Sequence, residues 1–88
     1  MKLKNGVLVS SHDDGFIVVA AGEAAASFNG ILKINGTAAF ICELLKSDTD
    51  IEKITDALCE EFEVDRDTAL KNAENTVATL KSIGLIQI

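Results

Sequence analysis

The chain has 88 residues, 48% of them hydrophobic and 25% charged, with no Pro, Trp or Tyr and a formal charge of −6. That length holds one domain with a small core, and the lack of Pro, with only 6 Gly, excludes a disordered linker or tail. The charge is uneven: residues 48–74 carry ten acids against three bases, while the rest is close to neutral, a surface that repels phosphate backbones and argues against nucleic acid as a partner.

In chain order, Val7-Leu8-Val9 opens a first strand, about residues 7–10. Asp13-Asp14-Gly15 then reads as a hairpin turn, with positive φ tolerated at both the Asp and the Gly. Phe16 to Ala20 is β-branched at its centre and predicts a second strand. A small-residue loop, Gly22 to Ser27, leads to a third strand over about 28–34, whose alternation sets Phe28, Leu32 and Ile34 on one face and Asn29, Ile31 and Lys33 on the other. Asn35 is a natural N-cap for a helix over about 36–46, with Ala38, Ile41, Leu44 and Leu45 as its core stripe. Thr49-Asp50-Ile51-Glu52 reads as a capping box in which Thr49 caps. It opens a helix over about 50–62 with Ile51, Ile54, Leu58 and Phe62 at helical spacing. Asp65 can cap a third helix, about 66–83, carrying Ala69, Ala73, Thr76, Val77, Leu80 and Ile83 along one side. Gly84 stands where a left-handed C-cap is needed, Leu85 can close a Schellman motif, and Leu85 to Ile88 can form a short extended tail. Three strands followed by three capped helices predict a winged-helix-like α+β domain, a three-stranded antiparallel sheet followed by a three-helix bundle.

The chain offers little for catalysis. His12 is the only histidine and sits beside Asp13 and Asp14, where turn chemistry already accounts for the acids. Cys42 and Cys59 fall beside apolar stripes with no His near them, which fits core packing better than a nucleophile, a zinc site or a disulfide framework. Glu60, Glu61 and Glu63 end an amphipathic helix and read as a solvated face. No Gly-rich phosphate loop occurs, nor the Asp-Ser-Leu attachment site of acyl-carrier proteins. The expectation is a protein that is not an enzyme and needs no cofactor and no metal. Val7–Val9 is too short for a signal peptide and nothing approaches a membrane span, so no membrane partner is expected and the expected compartment is the cytoplasm.

Phe28-Asn29-Gly30-Ile31-Leu32-Lys33-Ile34-Asn35-Gly36-Thr37-Ala38-Ala39-Phe40-Ile41-Cys42-Glu43-Leu44-Leu45 resembles the central motif of the PqqD-like family. Thr49 to Ile54 and Phe62-Glu63-Val64-Asp65 are similar to that family's second helix and the turn into its third, and Leu80-Lys81-Ser82-Ile83-Gly84-Leu85-Ile86 to its closing leucine–glycine–leucine signature. The likeness runs over roughly residues 5–86. Gly36 stands where members often have an acid, and Cys42 where a Trp is common.

The resemblance implies a non-catalytic module, a RiPP recognition element, that captures the leader region of a ribosomally made precursor peptide. The peptide adds as an extra strand beside the third strand, against the third helix, and a radical-SAM or other modifying enzyme then acts on it. The implied peptide-binding residues are Asn29, Gly30, Ile31, Leu32, Lys33 and Ile34 on the strand, with Leu70, Lys71, Glu74, Val77 and Ala78 on the helix. Ile31, Leu32, Leu70 and Val77 could equally be core, and Lys71 with Glu74 a solvated pair. Lys33 could meet an acidic leader residue, and the same strand edge could pair with a second copy as a homodimer. The rival reading is a winged-helix DNA-binding regulator. It sits poorly with a third helix whose Arg66, Lys71 and Lys81 are offset by Asp67 and Glu74, next to an acidic second helix.

Overall fold

The computed structural model describes residues 1–87. Strand β1 (Lys2–Leu3) is followed by β2 (Val7–His12), β3 (Gly15–Ala20), a 3₁₀ turn (Gly22–Ala26), β4 (Ile31–Ile34), helices α1 (Gly36–Leu44), α2 (Ile51–Phe62) and α3 (Arg66–Ser82), and β5 (Ile86–Gln87). The main sheet is antiparallel in the order β2-β3-β4, so β3 is central and both β2 and β4 are edges. Three strands followed by three helices is the α+β arrangement expected from the sequence.

Register explains which face is buried. Val9, Val18 and Leu32 lie across one row, and Ser11, Phe16 and Ile34 across another, on the face the helices cover. Val18 is fully buried there, with Val9, Leu32 and Ile34 packed against the core. The alternate row Leu8, Val19, Ile31 points away from the helices. The helical region supplies most of the remaining core through Ile41, Cys42, Leu45, Ile54, Leu58, Ala69, Ala73, Val77 and Leu80, and Leu3, Ala24, Leu85 and Ile86 complete it. The small residues Ala69 and Ala73 let α3 lie close against α2, its main helical neighbour.

Several local expectations are corrected. In the β2–β3 turn only Gly15 has positive φ (+133°), while neither Asp13 nor Asp14 does. The third strand of the main sheet begins at Ile31 rather than Phe28, because the Phe28 N–H donates to Ala24 O at 3.2 Å and closes the 3₁₀ turn. Asp50, not Thr49, caps α2, its Oδ1 accepting from the Lys53 N–H at 2.8 Å. Asp65 occupies the N-cap position of α3 but makes no capping bond with its side chain. Phe62 is 40% exposed instead of core, held edge-on against Phe40 with ring centroids 5.3 Å apart.

Other local signals hold. Asn35 Oδ1 accepts from the Ala38 N–H at 2.8 Å. At the end of α3, Leu85 N–H donates to Leu80 O (2.9 Å) and Gly84 N–H to Lys81 O (3.0 Å), with Gly84 at φ +78°. That is the paired bonding of a Schellman motif. The chain beyond it forms β5, which pairs antiparallel with β1 so that Lys2 lies opposite Gln87 and Leu3 opposite Ile86. Only β5 falls on the expected tail; β1 has no sequence forewarning, and Ile88 lies outside the described residues. No helix among the described residues is long and apolar enough to cross a membrane.

Candidate functional site: the groove between β4 and α3

β4 pairs with β3 on one side only, so its other edge carries unpaired backbone groups. Beside that edge runs a groove of about 320 Å³, with α3 as its far wall and the start of α1 closing one end. Leu32, Ile34, Ala38, Cys42 and Leu80 give it apolar surface, and Asn72, Asn75, Thr76 and Thr79 line it from α3.

The pattern of α3 dictates this. Successive residues turn by about 100° around a helix, so the buried Ala69, Ala73, Val77 and Leu80 define the inward stripe. Asn72, Asn75, Thr76 and Thr79 then fall on one flank, towards β4. Leu70 and Glu74 fall on the opposite flank, and Lys71 and Ala78 on the outward side; all four are exposed. Thus, of the helix residues implied for peptide contact, Leu70, Lys71, Glu74 and Ala78 stand away from the groove and Val77 is core, only 6% exposed. On the strand side, Leu32, Lys33 and Ile34 do line the groove. Ile31 lies on β4 but points away from the helices, 66% exposed, and Asn29 and Gly30 precede the strand. The sequence signal for the groove-facing flank is a run of uncharged amides and hydroxyls at Asn72, Asn75, Thr76 and Thr79, set against a charged flank with Glu74 and Lys81.

The groove's electrostatics differ from those of the whole chain. No Asp or Glu lines it, and its one charged residue is Lys33, whose side chain shares the outward face of Ile31 because it alternates with Leu32 and Ile34. Lys33 Nζ lies 4.0 Å from Asp14 Oδ2 with both side chains 82% exposed, a contact worth little in water. Asn35 is committed to capping α1, whereas among the described residues the side chains of Thr37, Asn72, Asn75, Thr76 and Thr79 make no hydrogen bond to the protein. They are available to an occupant. Below them Cys42 is fully buried, and burial pushes its thiol up to about 11, so it stays protonated and unreactive at neutral pH. Among the described residues no three His, Cys, Asp or Glu come together as a metal site.

The groove is therefore a place where an extended chain can lie, with backbone partners on one side and uncharged polar groups on the other. Two solved structures share this architecture. One is described as TbiB1 in complex with the TbiA(beta) leader peptide, 23% identical, with a TM-score of 0.75, covering 99% of this chain and 95% of that one. The other is lasso peptide synthetase B1 complexed with the leader peptide, 24% identical, with a TM-score of 0.73, covering 99% and 96%. No curated protein sequence matches the chain. The family described as coenzyme PQQ synthesis protein D (PqqD) matches residues 7–86, nearly the full length, and the chain belongs to that family.

Proposed function

We propose that this protein is a non-catalytic module that holds the leader segment of a ribosomally made precursor peptide as an added strand on β4. The observation that carries the reading is the unpaired β4 edge facing a carboxylate-free groove with an apolar base. Main-chain hydrogen bonds to β4 would set the peptide's register, each contributing about 0.5–1.5 kcal/mol net. Leu32, Ile34 and Leu80 would take apolar side chains, and the free amides and hydroxyls of α3 would select among peptides of similar hydrophobicity. Two proteins of the same fold are described as complexes with leader peptides, which supports the reading. The partner acting on the held peptide is a modifying enzyme, of radical-SAM or another type. A peptide on β4 excludes a second copy from that edge, so dimerisation through β4 and peptide capture are alternatives.

The test is a backbone-amide NMR titration with the leader segment of a precursor peptide encoded beside this chain's gene. Shifts should concentrate in residues 31–35 and 72–80. Saturable binding whose shifts instead track α2, or no response to the peptide at all, would overturn the proposal.

A further inference from the structure

The second open edge of the sheet carries its own chemistry. β2 is six residues long and, among the described residues, pairs with β3 alone. Four of its residues, Leu8, Ser10, Ser11 and His12, are exposed. Edge strands are commonly protected from other strands by Lys, Pro, inward charges or bulges, or by a covering element. β2 has no Lys, Pro, Asp or Glu. Leu8, 55% exposed, continues the outward row that runs through Val19 to Ile31.

We propose that β2 is a self-association edge, on which a second copy of this chain pairs its own β2 antiparallel. Charge selects that occupant and that direction. Lys4 stands just before the strand and Asp13 and Asp14 just after it. Parallel pairing would set Lys4 beside Lys4 and aspartates beside aspartates. Antiparallel pairing about a two-fold axis sets Lys4 of each copy towards Asp13 and Asp14 of the other, and makes the contact twice. Within one copy Lys4 Nζ donates to Ser27 Oγ at 3.1 Å and Asp14 Oδ2 lies 4.0 Å from Lys33 Nζ; both contacts are exposed and worth little, so the partner's charges can replace them. The acid-rich residues 48–74 belong to α2, α3 and the loops beside them, not to any strand, so the strongest source of self-repulsion lies off this edge. The product is a continuous six-stranded sheet with a free β4 edge, and hence a free groove, at each end.

Sedimentation velocity on the intact chain from about 1 µM to 1 mM tests this. The apparent mass should climb from 9.3 kDa towards twice that value. The double variant Asp13→Lys/Asp14→Lys and the single variant Lys4→Glu should each weaken association by at least about tenfold. A one-to-one mixture of the two should restore it, because each copy then meets its complement. Ser11→Lys, a change at an exposed edge position that leaves the turn untouched, should abolish the dimer while circular dichroism stays unchanged. A saturating leader peptide should leave the dimer intact. A monomer at every concentration, a dimer indifferent to both charge reversals, or a dimer dissolved by the peptide overturns the proposal; the last would place pairing on β4. Apart from the leader-peptide arm, these outcomes do not depend on whether the peptide reading holds, because association is measured on the chain alone.

Discussion

The two edges of the sheet offer the same backbone opportunity and differ in what surrounds it. β4 is four residues long, and its open side faces a groove walled by α3 and floored by Leu32, Ile34, Cys42 and Leu80. β2 is longer, but beside it lies solvent. A strand added to β4 has its side chains read at every second position against fixed partners. A strand added to β2 is read by its backbone, by Leu8 and by the charges at its ends. Under the proposed function, sequence selectivity belongs to the edge that has a helix next to it, although both edges offer the backbone groups for a ladder.

The largest test of this contrast is Leu80→Ala. Leu80 is 1% exposed and belongs both to the core and to the groove. Truncation should cost about 2–5 kcal/mol in urea unfolding and should weaken peptide binding as well. Weakened binding at full stability would show that the groove's base is separable from the core.

Gly84→Ala comes next, at about 1–3 kcal/mol, because φ is +78° and an added Cβ would sit 2.8 Å from Ser27 Cβ. Ser27 follows the 3₁₀ turn on the way to β4, so this contact links the end of α3 to the strand side of the groove. Thermal melting should report the loss.

The dryness of the groove's base can be read from pH. Burial raises the Cys42 thiol from 9.0 to about 11 in the folded protein, while the unfolded chain should ionise near 9. Between about pH 9 and 11 the unfolded state has lost that proton and the folded state has kept it, so stability falls as pH rises, by on the order of 3 kcal/mol in all. Cys42→Ala should remove this slope from a pH series of unfolding curves. Below pH 9 the term is flat, and a thiol reagent should label the less buried Cys59 well before Cys42.

The smallest change in stability, within about 0.5 kcal/mol, is expected for two surface variants that read the flanks of α3. Thr76→Phe, which fills the groove, should lower peptide affinity at least about tenfold. Leu70→Ser, on the opposite flank, should leave it unchanged. Equal effects from both would remove the distinction between the flanks.

How far this was legible follows from the range of each signal. Helices α1, α2 and α3 are announced by local chemistry: Asn35 at the start of α1, residues 49–52 at the start of α2 (with the cap expected one residue too early), apolar stripes, and Gly84 at the last C-cap. β1 and β5 are two residues each and exist only because residues 2–3 and 86–87 meet, which no local pattern announces. The groove is half legible. Alternation along β4 places Leu32 and Ile34 inward, and the stripe on α3 places Val77 and Leu80 inward. Which flank of α3 then faces β4 depends on how the helix packs against the sheet. Its uncharged polar residues resemble any solvated face until that packing is known.

The β1–β5 ribbon leaves a mark on the fold's architecture. Lys2 and Gln87 are opposed across a two-strand ladder, so entry and exit of the chain lie on the order of 5 Å apart. A fold of this kind can be spliced into a surface loop of a larger host through two short connections, with little demand on the host's geometry. No residue of β1 or β5 lines the β4 groove, so such connections would leave the groove unobstructed, and its orientation would be set by the host rather than by a free tether.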